Sequence, residues 1–280
     1  MSVKMFIIFH RYLSHELLEH YKSVDLTFFG VNEDVEKRIT KEFQNRVIYE
    51  YRLSRYESLF QKFGFGESSC IMHVGNNDLH QDFEYIGFTQ YDMLLNLDKL
   101  SRQLKPNACI YTRLTKKNMF KQSHLDRIPI EFFFECYNEY FGTKYTQEDF
   151  KRLSSNKLKE VTNIFLCTFI IHKDVYNKLY PFWTRYMYKL FQHLYIENGF
   201  ENIKTKTHIH NNYRFCSWVM EITLGITLIL ENSLTEYICI KSIENNRKNI
   251  NYDYDTERDY QKLYSKELIK QFENKSVLLS

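Results

Sequence analysis

The chain has 280 residues, 44% of them hydrophobic and 26% charged, which suits one large globular domain or two small ones. The formal net charge is only +3, and Lys and Arg are interleaved with acidic residues. Nucleic-acid-binding proteins concentrate basic residues to neutralise phosphates, so this balance argues against that class, including a single-strand-binding module that would use the abundant aromatic residues.

The six cysteines are widely spaced and form no Cys-x-x-Cys pair, which predicts reduced, mostly buried thiols and neither a disulfide framework nor a zinc site. The N-terminal apolar run is too short for a signal peptide. The longest later run, from Cys216 to Leu230, is interrupted by Glu221 and falls short of a membrane span. We therefore expect a soluble, cytoplasmic protein without a transmembrane segment.

Strand and helix patterns alternate along the first 45 residues, which predicts a parallel sheet with helices packed against it. Strands are predicted over 5–9 and 24–30, and helices over 14–21 and from Asn32 through Val35, Ile39 and Phe43.

Hydrophobic spacing predicts the later elements. Helices are expected over 49–63, 129–141, 173–198 and 214–230, and from a capping box at Thr146 and Asp149; strands are expected over 84–88, 108–112, 164–171 and 235–240. No repeat or flexible linker divides the chain. The prediction is one domain over residues 1–243, with the charged segment 244–280 as a helical extension docked on it.

The trio Gln90-Tyr91-Asp92 follows a predicted buried strand, so it lies at the edge of the sheet where open α/β folds bind ligands. Asp92 offers a carboxylate oxygen and Gln90 an amide oxygen, the ligand types that a hard divalent cation prefers. The alternative is that Asp92 caps the following turn and Gln90 is solvated. Spacing alone favours that alternative.

Glu221 lies in an otherwise apolar predicted helix, where a carboxylate must be paired, hydrogen-bonded or partly desolvated. A partly desolvated carboxylate suits a general base that takes a proton from an acceptor hydroxyl. A solvent-facing position, or a structural pair with Arg214, is an equal alternative.

Two further segments contain candidate ligand-binding residues. His10-Arg11-Tyr12 follows the first strand, where Arg11 offers bidentate phosphate contacts; the alternative is an ordinary surface turn. His208 and His210 are separated by one residue in a polar loop and can bind a metal or phosphate, although a solvated loop is the commoner explanation.

Several segments, in this order, resemble a family of bacterial and viral polysaccharide glycosyltransferases of the glycosyltransferase A group. The family opens with a strand ending in Tyr-His-Lys, and has an Ile-Gly-Leu-x-His-Tyr-Arg-Arg stretch at its centre. It continues with an Asn-Met-Phe-Ile strand, a helix with an aromatic-Trp pair, and Gly-Phe-Leu-x-Glu-Arg near its end. The similar segments here are Lys4–Arg11, Tyr85–Asp92, Asn163–Leu166, Phe182-Trp183 and Cys216–Glu221.

The resemblance implies an α/β, glycosyltransferase A-like (Rossmann-like) fold with a mixed, mainly parallel sheet flanked by helices. It also implies a hexosyltransferase-type enzyme that moves a sugar from a nucleotide-sugar donor to a glycan or other hydroxyl acceptor. Mn²⁺ or Mg²⁺ would neutralise the departing diphosphate. The implied metal ligands are Asp92, Gln90 and His210; the implied donor contacts are His10, Arg11, Tyr12, Gly30, Gln90 and Tyr91; and the implied catalytic residues are Asp92 and Glu221.

Two departures from the family pattern bear on activity. Gln90-Tyr91-Asp92-Met93 replaces His-Tyr-Arg-Arg, and Ile222 replaces the Arg after the late Glu. The first departure resembles the Asp-x-Asp site of metal-dependent glycosyltransferases, with Gln in the first place, and so favours metal use. A degenerate site would instead make the chain a catalytically silent nucleotide-sugar-binding or interaction protein on the same fold.

Overall fold

A seven-stranded sheet organises the computed structural model. The residues described are 2–10, 13, 15–22, 24–31, 35–36, 39–62, 64–91, 93–97, 100–112, 125, 128–159, 163–164, 167–197, 215–240 and 242–244, with only the backbone at 62, 195–197 and 242–244. The strands are β1 Val3–Phe9, β2 Asp25–Gly30, β3 Val47–Tyr49, β4 Tyr85–Gln90, β5 Met93–Leu95, β6 Ala108–Thr112, β7 Phe169–His172, β8 Glu236–Ile240 and β9 Ser242–Glu244. The α-helices are α1 His15–His20, α2 Ser58–Lys62, α3 Glu67–Asn76, α4 Leu100–Gln103, α5 Ile130–Phe141, α6 Gln147–Leu158, α7 Lys173–Phe191 and α8 Phe215–Leu230.

The strand order in the main sheet is β3-β2-β1-β4-β7-β6-β8. Strand β7 is antiparallel to both of its neighbours, and the other pairs are parallel. Strands β5 and β9 form a separate antiparallel pair. This arrangement confirms the predicted mixed, mainly parallel sheet.

Helices cover both faces of the sheet, and β1 contributes to the core on each side. Because successive side chains of a strand point to opposite faces, Phe6 and Ile8 lie in one core with residues of α3, α5, α7 and α8. Met5, Ile7 and Phe9 lie in the other core with residues of α1 and α4. Trp183 is 1% exposed, as expected of a core residue.

Several predicted elements agree closely with the structure. The strand over 108–112 has the predicted bounds, and α8 ends at the predicted residue, Leu230. The capping box at α6 is also present. The Thr146 hydroxyl accepts the Asp149 N–H at 3.3 Å, and the Asp149 carboxylate accepts the Thr146 N–H at 3.0 Å.

The predicted helix over 49–63 is wrong. That segment instead contains the end of β3, a 3₁₀ turn at Glu50–Arg52 and the short helix α2. The aromatic spacing imitated a helix, whereas the local structure is set by Glu50, whose side chain is buried and hydrogen-bonded to a distant helix.

Two other predicted elements differ from the structure, and each includes residues that lie outside the described part of the chain. In the helix expected from Asn32, the described residues show a 3₁₀ turn at Lys41–Arg46 and no α-helix. Of the described residues in the strand expected over 164–171, only those in β7 form a strand, and Cys167 has a φ of 47°, which is incompatible with one.

Residues 245–280 lie outside the described residues, and with them most of the predicted extension over 244–280. Strand β9 crosses the predicted boundary at 243 and pairs with β5. All six cysteines are described and none forms a disulfide. Among the described helices, none has the length and apolar character needed to span a bilayer.

Helix α8 makes an unusually close contact with the peptide before β7. Asn163 donates from its side-chain amide to the Ile222 carbonyl at 2.8 Å. A Cβ at Gly225 would lie 2.0 Å from the carbonyl oxygen of Ile164. The absence of a side chain at Gly225 therefore allows α8 to pack directly against the backbone at Ile164.

We expect Gly225→Ala to destabilise the protein by about 1–3 kcal/mol, because the added methyl group overpacks against backbone. At an ordinary helical position the same change gains roughly 0.5–1 kcal/mol. Urea unfolding measures the difference. Ser155→Ala, at an exposed position of α6, is the control and is expected to stay within about 0.5 kcal/mol. A more stable Gly225→Ala protein would contradict the packing.

Candidate active site

The carboxyl ends of β1, β2 and β4 meet at one edge of the sheet. The register pairs Phe9 with Gly30 and Ile8 with Gln90. Beyond the strands, the Val31 N–H donates to the Phe9 carbonyl and the Tyr91 N–H donates to the Ile8 carbonyl, each at 3.0 Å. The residues that follow the strands are therefore fixed by backbone hydrogen bonds at this rim.

His10 and Tyr91 are in contact at the rim. Their rings pack edge to face with centroids 5.2 Å apart. His10 Nδ1 also lies 3.2 Å from Oε1 of Glu67, and both side chains are partly exposed, at 34% and 21%. The imidazole is therefore held by a ring on one side and a carboxylate on the other while staying accessible.

Glu67 reaches His10 because of how α3 begins. It is the first residue of that helix, and Gly66 before it has a φ of 56°, in the left-handed region that glycine tolerates best. The backbone thus turns sharply after Phe65, so that the first turn of α3 faces the end of β1.

Glu221 lies near the same cluster. Burial raises the pKa of the Cys167 thiol well above its usual value, and the nearby carboxylates of Glu221 and Glu67 raise it further. The Cys167 thiol lies 3.7 Å from the hydroxyl of Ser68, the residue that follows Glu67 in α3. Both carboxylates are therefore close to one rim residue.

The start of α8 explains this placement of Glu221. The Ser217 N–H donates to the Gly64 carbonyl at 3.1 Å, which anchors the helix on the loop before α3. Glu221 follows one turn later and is half-buried, between the fully buried residues Met220 and Ile222. We call His10, Glu67, Gln90, Tyr91, Cys167 and Glu221 the rim cluster.

Gln90 is the half-buried last residue of β4, and Tyr91, 8% exposed, directly follows it. Gly30 ends β2, and a Cβ there would lie 2.8 Å from Val35 Cγ2, so internal packing accounts for this glycine. Four of the predicted site residues lie outside the described residues: Arg11, Tyr12, Asp92 and His210.

The described part of the chain contains no group of three His, Cys, Asp or Glu side chains that could hold a metal ion. Gln90 is the one predicted metal ligand that the structure describes, and an amide oxygen alone does not bind a divalent cation firmly. The metal assignment therefore depends on Asp92.

Glu67 and Cys167 were not predicted as site residues. Glu67 lies between the predicted elements over 49–63 and 84–88, and no local pattern marks it as the first residue of a helix. Cys167 lay inside a predicted strand, and nothing local marks it as a rim residue. Contact with elements distant in the chain defines both.

An open cleft of about 280 Å³ lies elsewhere, between α1 and the 3₁₀ turn before β3. Its lining residues are Leu18, Glu19, Lys22, Glu42 and Arg46. None of them belongs to the rim cluster, and their charges alternate in sign. We therefore treat the rim cluster, and not this cleft, as the candidate active site.

No protein-family model matches the chain, and a search of curated proteins finds no match. The solved structures that are similar to it include two glycosyltransferases. The apo structure of the bifunctional glycosyltransferase WbbM has a TM-score of 0.49 and 9% identity over 88% of this chain, which spans 46% of that chain, less than half its length. Core-mannan synthase A from Aspergillus fumigatus, in its Mn/GDP form, has a TM-score of 0.44 and 10% identity over 87% of this chain and 74% of that one. At these values neither likeness assigns a role to a residue here.

Thiol labelling tests the burial of the rim. Five cysteines are buried, including Cys167, and Cys239 is exposed. We expect one fast-reacting thiol in the native protein at pH 8 and six in denaturant, because burial keeps the other five thiols away from the reagent. Cys239→Ser should abolish the fast phase. Fast labelling of Cys167 would show that it is not buried beneath the rim.

Proposed function

We propose that the chain is a glycosyltransferase that transfers a sugar from a nucleotide-sugar donor to a hydroxyl acceptor. The observation that carries the proposal is the gathering of His10, Gln90 and Tyr91 at the carboxyl edge of one mainly parallel sheet, with the helix of Glu221 anchored on the loop before α3. Open α/β sheets bind their ligands at this edge.

Donor binding is assigned to the end of β1 and the end of β4. His10 has an accessible imidazole that can donate a hydrogen bond to a phosphate oxygen, and its contact with Tyr91 fixes the ring plane. Arg11 and Tyr12, which follow in sequence, would add a guanidinium and a ring. Gly30 forms the neighbouring edge of this region.

Glu221 is assigned the general base. A carboxylate placed within hydrogen-bond reach of an acceptor hydroxyl can take its proton as a general base. Glu221 is half-buried in an apolar helix and shares the surroundings of Cys167 with Glu67. It would accept the proton of the acceptor hydroxyl as the new glycosidic bond forms.

A divalent cation, Mn²⁺ or Mg²⁺, belongs to the proposal through Asp92, with Gln90 and His210 as further ligand candidates. When bound, it would neutralise negative charge on the nucleotide diphosphate. In the described part of the rim cluster the carboxylates are Glu67 and Glu221, so an anionic donor needs positive charge from elsewhere.

The first test of the function is Asp92→Ala. We expect it to abolish Mn²⁺-dependent donor hydrolysis and transfer, while the thermal unfolding midpoint without ligand stays unchanged, because one metal-ligand carboxylate is lost from the rim. The measurement is turnover across a panel of nucleotide sugars, with and without Mn²⁺. Asp82→Ala, at an exposed turn position, is the matched control. Unchanged turnover in Asp92→Ala would rule out the metal role.

The second test is Glu221→Gln, which keeps size and shape but removes the base. We expect kcat to fall about 10²–10⁴-fold, the usual contribution of general-base catalysis, with donor affinity nearly unchanged. Glu135→Gln, at an exposed position of α5, is the control. Equal losses of kcat and donor affinity would mark Glu221 as structural.

The same screen distinguishes the alternative function. Nucleotide sugars that raise the unfolding temperature in a Mn²⁺-dependent way, without any turnover, would favour a silent binding protein on this fold. The departure of the late motif at Ile222 from the family Arg motivates that alternative.

A further inference from the structure

A fully buried carboxylate lies behind the rim cluster, outside the proposed chemistry. Glu50 is 0% exposed. Its oxygens accept hydrogen bonds from the Ser69 hydroxyl, from His73 Nδ1 at 2.6 Å and from Gln61 Nε2 at 2.7 Å. Burial raises the pKa of Glu50, and these donors act in the opposite direction.

The hydrogen bonds fix the tautomer of His73. The Glu57 backbone N–H donates to His73 Nε2 at 2.8 Å. Since an N–H can only donate, Nε2 must be the accepting nitrogen, and Nδ1 must carry the proton that points at Glu50. The network therefore converges on the carboxylate with a defined direction.

The side chains of Gln61 and Ser69 also contact the entry to α3. The Gln61 amide has two N–H groups, and it donates to the Gly66 carbonyl at 3.1 Å as well as to Glu50. The Ser69 hydroxyl, whose single proton points at Glu50, lies 2.8 Å from the same carbonyl. Gly66 is the residue with the left-handed φ that turns the chain into Glu67. Glu50 thus orients Ser69 and Gln61, and these two side chains orient the peptide that precedes Glu67.

We propose that Glu50 is a positioning residue for the rim cluster, acting through Ser69, Gln61 and Gly66 to hold Glu67 against His10. Isolated buried carboxylates are costly and contribute little stability compared with apolar packing. What a fully hydrogen-bonded one supplies is defined geometry. A shift of about 1 Å in the Glu67 carboxylate would break its contact with His10. The catalytic consequence rests on the proposed glycosyl transfer.

The experiment is a double-mutant cycle with Ser69→Ala and Glu67→Gln. Ser69→Ala removes a hydroxyl that touches both Glu50 and Gly66, and Ser154→Ala removes an equally buried hydroxyl from α6 as the matched control. Gln61→Met, at a half-buried position, removes the second link and serves if Ser69→Ala does not fold.

The first readout, hydrogen exchange, needs no substrate. Ser69→Ala is expected to speed amide exchange about fivefold in the peptides containing residues 66–69 and His10. A change of this size corresponds to the loss of one hydrogen bond. The peptide containing His10 should respond no further to Ser69→Ala once Glu67→Gln is present. Additive effects there, or an equal effect from Ser154→Ala, would overturn the inference.

Turnover is the second readout. Ser69→Ala is expected to lower kcat about tenfold or more in the parent chain and to have no further effect beside Glu67→Gln. An equal loss in both backgrounds would show a general structural role and overturn the positioning role. Absence of turnover in the parent chain would refute the proposed function, whereas the exchange cycle would still decide whether Glu50 holds Glu67.

Discussion

The two-sided burial of β1 constrains the rest of the molecule. Phe6 and Ile8 enter one core, and Met5, Ile7 and Phe9 enter the other. Because both faces of the strand are covered, its backbone N–H and C=O groups cannot form hydrogen bonds with water. Those groups are satisfied by parallel pairing with β2 and β4 in a single register. A slip of one residue would exchange the two cores. The register therefore fixes the level at which the strands end, and with it the position of the rim.

Some elements of the fold are determined by the residues within them and could be predicted from the sequence. The β-branched and aromatic runs of β1 and β6, and the Thr146–Asp149 capping box, are patterns whose physical cause lies within a few residues. The segment from Tyr49 was predicted wrongly for the opposite reason. Its aromatic spacing is helical, but Glu50 is held by Ser69 and His73, which come about 20 residues later.

The residues of the candidate site divide in the same way, into those placed by local sequence and those placed by distant contacts. His10, Gln90 and Tyr91 follow predicted strands, so their arrival at one edge depends only on parallel order. Glu67 and Cys167 could not be found in this way. Helix α3 looks polar in sequence because it contains Ser68, Ser69 and His73. These side chains are nevertheless buried, and the groups that they contact lie in other elements. Cys167 reaches the rim through a left-handed backbone conformation that interrupts an apolar run.

The charges of the rim bear on how an anionic donor would be accommodated. Glu67 and Glu221 both act on Cys167, and Glu67 also engages His10, so the described cluster has more negative than positive character. A nucleotide diphosphate entering such a site meets repulsion unless a cation accompanies it. In the proposal, a divalent ion at Asp92 supplies that charge. Metal-dependent donor binding is consequently expected of an enzyme and of an inert binding protein with this fold alike, and turnover is the property on which they differ.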